Sequence, residues 1–273
     1  MRFGTDDIFR AGEGKRWRTL FLSDVHLGSR VSRGERLIEF LRYHDADTLY
    51  LVGDIIDGWR LKSNWYWPDA HNEVLRELLR IACAGRKVIY VPGNHDEFLR
   101  DYCGVHFGGI EIAASAVHDG ADGRRYLVVH GDECDRAIKS MRRLANVGYR
   151  ANVALLALTA GVNHVRRQFG LSESRLPQRA KRKFKETTSY LADFQKAIAA
   201  LAQRHEADGV ICGHVHHAAI HEHLGVRYIN CGDWVESCTA IAEGADGQFE
   251  ILRWVGAAAS NAESPRTTQA RAA

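Results

Sequence analysis

Five short apolar runs in this chain each break off into a small cluster of Asp, His, Asn, Ser and Gly. The run ending at Leu22 meets Ser23-Asp24-Val25-His26, and the one ending at Val52 meets Gly53-Asp54-Ile55-Ile56-Asp57. Val91 is followed after Pro92 by Gly93-Asn94-His95-Asp96, Val129 by His130-Gly131-Asp132, and Cys212 by Gly213-His214-Val215-His216. The runs are rich in β-branched and aromatic residues, which suits buried strands. Between the first three lie segments of helical period. One is 35–44, with Leu37, Phe40 and Leu41 on one side. The other is 70–84, with Val74, Leu75, Leu78, Leu79 and Ala82 on one side. Alternation of this kind predicts a largely parallel sheet covered by helices. In open sheets of that type ligands bind beyond the carboxyl ends of the strands, where all five clusters fall. Further β-like stretches follow near 226–231, 238–242 and 248–254.

The donor chemistry of the clusters is uniform. Carboxylate oxygen, imidazole nitrogen and amide oxygen suit hard or borderline divalent cations such as Mn, Fe or Zn better than a thiolate site would. An Asp two residues before a His at a strand exit allows both side chains to turn toward one ion. Glycines beside Asp54, Asn94, His130 and His214 permit tight turns. Each motif alone is common loop chemistry, but five in order, each after a strand, predict a single metal-binding constellation.

That constellation resembles the calcineurin-like metallophosphoesterase superfamily, over roughly residues 19–254. The resemblance implies a four-layer α/β/β/α sandwich and two divalent metals, Mn foremost, with Fe, Zn, Mg or Co as alternatives. It implies that Asp24, His26 and His216 hold the first metal, that Asn94, His130 and His214 hold the second, and that Asp54 bridges them. Paired cations of this type bind both the attacking and the leaving side of a phosphoryl centre and lower the pKa of bound water toward ~7. His95 is then expected to protonate the leaving oxygen or to stabilise its developing charge. Asp57, three residues past Asp54, orients His95 by hydrogen bonding. Asp96 and Asp132 support the site.

The stretch 135–205, between the fourth and fifth clusters, has helical composition and no strand signal, which predicts a helical cap inserted into a catalytic domain of residues 17–134 and 206–255. Within it, 136–185 holds thirteen Lys or Arg against one acidic residue, Glu173, a net of +12 where the whole chain carries +3. It also holds the aliphatic stretch 151–162. A basic, apolar helical element suits an anionic membrane surface or a lipid with an anionic head. Arg179, Arg182, Lys183 and Lys185 are the cap residues expected to meet substrate phosphate. The cap and the Gly53–Trp59 motif resemble the subgroup containing UDP-2,3-diacylglucosamine diphosphatase. This implies hydrolysis of a lipid-linked pyrophosphate to a lipid X-type monophosphate and UMP, in lipid A assembly. The best-known members of that subgroup carry Arg where this chain has His95, and an acidic residue other than Asp at the position of Asp57. The alternative is another phospholipid, or nucleotides or nucleic acid. Cap aromatics without stacking-platform spacing speak against nucleic acid.

No apolar run reaches the ~20 residues that span a bilayer. The first 18 residues lack an apolar signal region, which predicts a cytoplasmic protein, peripheral at most on the inner face of the cell membrane. The six cysteines show neither C-x-x-C spacing nor disulfide-scaffold density, so free thiols are expected. The segment 256–273, rich in Ala, Ser, Thr and Gln, reads as a disordered tail.

Overall fold

A computed structural model describes residues 15–135 and 181–255, and of 181–189 the backbone alone. The remaining stretches, including most of the expected cap, Arg179 and the tail, lie outside the described residues.

The first strand, β1 (Arg16–Leu22), pairs in parallel with β2 (Asp45–Val52), and β2 with β3 (Lys87–Val91). The connections run through α1 (Gly34–Tyr43), the short α2 (Gly58–Ser63) and α3 (Asp69–Cys83). A 3-10 helix (Glu97–Tyr102) precedes β4 (His106–Phe107) and β5 (Ile110–Ile112). These join β11 (Thr239–Glu243) and β12 (Phe249–Arg253) in a seven-stranded sheet, ordered β12-β11-β1-β2-β3-β5-β4. A second sheet is built from β6 (Ala116–Asp119), β7 (Arg125–Val128), β8 (Gly209–Cys212), β9 (Ala219–His223) and β10 (Val226–Asn230), ordered β6-β7-β8-β10-β9. The interiors β1-β2-β3 and β7-β8-β10 are parallel as expected, whereas both sheets are edged by antiparallel strands.

Three apolar clusters define the layers. Phe21, Tyr50, Val52, Ile89 and Val91 of the first sheet face Tyr126, Val128, Ile211 and Ile229 of the second. The outer face of the first sheet packs on α1 and α3 through Leu20, Leu22, Leu37, Phe40, Leu41, Val74 and Leu78. The outer face of the second packs on α4 (Lys181–Arg204) through Leu127, Val210, Cys212, Phe194, Ile198 and Ala202. This is the four-layer sandwich implied by the resemblance. The buried face of α3 differs from the expected one: Leu79 is 41 % exposed, while His71 and Glu77 are buried. Glu77 is tolerated inside because Arg80, one turn on, pairs with it at 2.6 Å.

The two sheets are also tied by charge. Glu243 on β11 is fully buried and accepts from both sides. Arg18 of β1 donates at 2.6 Å, the backbone N–H of Ala121 donates at 2.8 Å, and His118 of β6 lies 2.9 Å away. Burial opposes the charge on Glu243, but His118, the Ala121 N–H and Arg18 outweigh it and hold the carboxyl down to about 2. All six cysteines are free thiols, four of them buried.

Candidate metal centre

The five clusters meet at the carboxyl ends of β1, β2, β3, β7 and β8. The chain achieves this with an uncommon backbone. Asp24, His26, Asp54, His214 and His216 all adopt the left-handed conformation, with φ between 53° and 70°. L-residues other than Gly rarely do so, because Cβ crowds the backbone, and such outliers concentrate at functional sites. Backbone hydrogen bonds hold the turns: Asp24 N–H donates to the Gly53 carbonyl at 3.0 Å and His26 N–H to the Asp54 carbonyl at 2.9 Å. The left-handed turns at residues 24 and 26 throw both side chains to one side of the strand exit.

Two glycines are needed for closeness rather than for turn geometry. Neither Gly93 nor Gly213 has positive φ. A Cβ on Gly93 would overlap Asp54 and lie 2.7 Å from the His130 ring, and one on Gly213 would overlap Ser23 and lie 2.5 Å from Asp24 Oδ2. Side chains from different clusters therefore pack through these positions.

Among the described residues three groups of donor atoms result, each with its atoms within 4.8 Å of one another: His26 with Asp57 and His95, and the two made of expected ligands, Asp24, His26 and His216, and Asp54, His130 and His214. Asp54 lies between them. Its Oδ1 accepts the His95 N–H at 2.8 Å, while Oδ2 lies 3.4 Å from His130 Nε2 and 3.9 Å from both His26 Nε2 and His95 Nε2. Asp24 divides its oxygens in the same way. Oδ2 accepts the His214 N–H at 2.9 Å and the Ser23 hydroxyl, and Oδ1 faces His216 Nε2 at 3.1 Å. His130 Nδ1 sits 2.9 Å from the Val52 carbonyl, which can only accept, so Nδ1 carries a proton and Nε2 is the nitrogen that faces the cluster.

The fit of this pocket to cations shows in what is left unsatisfied. Asp24 Oδ1, His26 Nε2, Asn94 Oδ1 and His130 Nε2 are buried and make no hydrogen bond among the described residues. Buried polar atoms are normally paired, and four converging exceptions of ligand type are what a cation site requires. Charge agrees. Burial disfavours protonation of His26, but Asp24, Asp57 and Asp54 push it up to about 10. Asp54 and Asp24 likewise outweigh burial at His130, which also rises to about 10. Burial is outweighed at Asp24 by His216 and His26, which hold it well below the carboxylate range. The pocket concentrates negative charge that protons or cations must balance.

Asp57 and His95 lie beside the two groups. Asp57 caps α2 by accepting the Arg60 N–H at 2.9 Å, and the same oxygen lies 2.9 Å from His95 Nδ1. Its other oxygen is 3.4 Å from His26 Nδ1. Of this pair His95 is the more reachable, its side chain 24 % exposed against 4 % for Asp57. Trp59 of α2 lies against it, the rings tilted by 35° with centroids 4.3 Å apart, a neighbour the motif pattern did not identify. Asp96 is a brace: it accepts the N–H groups of Gly93 at 2.6 Å and Ile55 at 2.8 Å, and the Tyr90 hydroxyl, so it ties the second cluster to the third. Burial and the nearby Asp54 push its carboxyl up. Asp132 accepts from Arg100 at 2.7 Å. Asp135, at the boundary drawn for the insertion, also lies here, with Oδ2 3.5 Å from His214 Nε2. Arg182, Lys183 and Lys185 lie on α4 in its backbone-only part.

The family model for the calcineurin-like phosphoesterases matches residues 18–218, which span all five clusters. The chain belongs to this family. This calcineurin-like phosphoesterase is a metal-dependent phosphoester hydrolase, and the family implies divalent metal ions. Among curated relatives, a UDP-2,3-diacylglucosamine hydrolase of a Shewanella species is 26% identical over 238 residues, covering 84% of this chain and 94% of its own. One from Aeromonas salmonicida is 28% identical over 230 residues, covering 80% and 86%. One from Porphyromonas gingivalis is 30% identical over 137 residues, covering 45% and 49%. Among the described residues of the phosphoesterase no helix is long and apolar enough to cross a membrane.

Proposed function

We propose that this phosphoesterase is a dinuclear pyrophosphate hydrolase acting on a nucleoside-diphosphate lipid of the UDP-2,3-diacylglucosamine type. The observation that carries the dinuclear reading is the set of four buried, unpartnered donor atoms of Asp24, His26, Asn94 and His130 around Asp54. Asp24, His26 and His216 would hold one cation, and Asn94, His130 and His214 the other, with Asp54 between. Oxygen and imidazole donors without thiolate suit Mn, Fe or Zn; the resemblance puts Mn foremost, with Fe, Zn, Mg or Co as alternatives. Two cations there would supply positive charge to the phosphoryl oxygens and activate water.

The chain's own residues do the rest. Asp57 holds the His95 ring through Nδ1, which aims Nε2 toward the side where Asp54 and the two groups converge. Nε2 can carry a proton to the departing phosphate oxygen. Trp59 covers the other side of the ring and limits its rotation and hydration. Asp57 also faces His26 Nδ1, so it steers a ligand and the acid together.

The substrate reading is supported by the relatives bearing that enzyme's name over at least four-fifths of this chain. Contact with an anionic membrane is supported by two kinds of observation. The basic 136–185 segment is one. The other is a surface outside it, where Trp65 is 74 % and Val31 54 % exposed and Arg30 lies over the Tyr66 ring. Arg30, Arg33, Arg60 and Lys62, all exposed there, make no ion pair among the described residues. The test is a product assay with Mn²⁺ on UDP-2,3-diacylglucosamine, a phosphomonoester, a phosphodiester and single-stranded DNA. UMP and a lipid monophosphate are expected. Turnover of the diester or DNA with none of the UDP-lipid would refute the substrate assignment and leave the hydrolase.

A further inference from the structure

We propose that Asp135 and Tyr190 are positioning residues for His214, and that they couple cation binding at the His130–His214 group to the docking of α4. The inference rests on the dinuclear reading above and adds to it a route by which the insertion reaches the metal centre. Asp135 is 3 % exposed and lies on the helical turn that leaves the fourth cluster, five residues past His130. Tyr190 is fifty-five residues away, near the point where α4 returns toward the sheet, and its hydroxyl donates to Asp135 Oδ1 at 2.8 Å. The other oxygen of Asp135 faces His214 Nε2 at 3.5 Å.

The chemistry of that line is directional. An ionised carboxylate only accepts, so a proton on Nε2 is favoured and the lone pair is left on Nδ1. A ligating imidazole held this way by an outer carboxylate is oriented and made more basic, and loss of such a partner typically weakens metal affinity ~10–100-fold. Packing reinforces the contact. Tyr190, Phe194 and Ile198 follow at i, i+4 and i+8 and share one face of α4. The Phe194 ring is fully buried 6.0 Å from the His214 ring. A side chain on Gly131, next to His130, would strike Phe194 at 2.9 Å. The face of α4 that carries Tyr190 therefore touches both histidines' loops. Docked, α4 presents the hydroxyl that fixes Asp135. Lifted, it withdraws one of the contacts that hold Asp135 beside the His214 ring. Coupling of this kind is reciprocal: if docking favours the cation, the cation favours docking.

The test uses full-length protein stripped of metal and titrated with Mn²⁺ or Co²⁺, with amide hydrogen exchange followed across α4. The parent should bind two ions and slow exchange over 190–198 when loaded. Asp135→Asn should keep one site at parent affinity and weaken the other ~10–100-fold, with α4 exchange no longer responding to metal. Tyr190→Phe, which removes only the hydroxyl, should give a smaller loss in the same site. Unchanged melting of the metal-free variants shows that they fold. An Asp135→Asn protein with two parent-like affinities, or a parent whose α4 exchange ignores metal, overturns the coupling alone. A parent that takes up no ion overturns the dinuclear reading and the coupling with it.

Discussion

Asp57→Asn separates the chemistry of His95 from that of the metal ligands, because Asp57 serves both. In the parent, Oδ1 accepts from the Arg60 N–H and faces His95 Nδ1, both at 2.9 Å, and Oδ2 faces His26 Nδ1 at 3.4 Å. Asn keeps an oxygen of the same shape and is as good a helix cap, so α2 should persist at a cost of a few tenths of a kcal/mol. What goes is the charge. A hydrogen bond to a charged group is worth about 1.5–3 kcal/mol, so weaker hold on the His95 proton should cut turnover about 10–150-fold on a substrate with a poor leaving group. Toward His26 the amide presents an N–H where a carboxylate stood. The imidazole proton is driven from Nδ1 to Nε2, the atom left bare in the cluster. Affinity at the Asp24–His26–His216 group should fall ~10–100-fold. Turnover measured against Mn²⁺ concentration resolves the two effects. Saturating metal should recover the His26 part and leave the His95 part. His95→Ala should show the turnover loss with unchanged metal affinity, and an activated leaving group should mask it in both variants. Full recovery of Asp57→Asn at high Mn²⁺ on the poor leaving group would refute the role given to the His95–Asp57 pair.

Asp54→Ala, which removes the carboxylate shared by both groups, should leave less than one bound ion per chain by metal analysis after dialysis. Metal binding should release protons, since His26 and His130 are pushed up to about 10 and hold protons at neutral pH that cations displace. Affinity should therefore rise with pH toward that value, and calorimetry in two buffers of different ionisation heat should report the release. Glu243→Gln should cost about 3 kcal/mol in urea unfolding at pH 7, estimated from a carboxyl held down to about 2 against an ordinary 4.5. Because the folded value is depressed, that contribution is full above about 4.5 and lost as pH falls toward 2, so parent and variant should converge in acid. Gly213→Ala should lose metal and stability together, because the added methyl overlaps Ser23 and crowds Asp24.

The parts of the site that were legible in the sequence are those written locally. Each strand end and its polar cluster are adjacent in the chain, so strand order and ligand order could be read together. The helices α1 and α3 announced themselves by period, while α2 is six residues long and too short to show one. The edge strands β4, β6 and β9, and β5 beside β4, escaped because they are short and half exposed, so no apolar alternation marks them. Asp135 escaped for a different reason. Its partners Tyr190 and His214 lie far along the chain, and a lone Asp after a ligand motif has many ordinary uses. Trp59 lay inside a motif already singled out, yet its ring contact with His95 depends on where α2 turns, which no spacing rule supplies.

Nothing in residue type marks Asp24, His26, Asp54, His214 and His216 as left-handed, and here composition and geometry pull apart. At about 1–2 kcal/mol for each non-glycine residue, five such positions cost on the order of 5–10 kcal/mol, comparable to the whole net stability of a domain. Glycine at those positions would relieve the strain and delete the ligands. The fold instead gathers compensation around them. Asp96 fastens the backbone at residues 54–56 and at 93, Trp234 N–H donates to the Asp24 carbonyl at 3.0 Å, and the His214 N–H is fixed on Asp24 Oδ2. Asn230 Nδ2 donates to the Gly213 carbonyl at 2.7 Å, just before the strained pair at 214 and 216. Each brace uses buried groups that a solvent-exposed turn could not keep dry. The site can therefore exist only where two sheets and their connecting loops close over the strand ends. That closure ties five weak local motifs into one chemical unit.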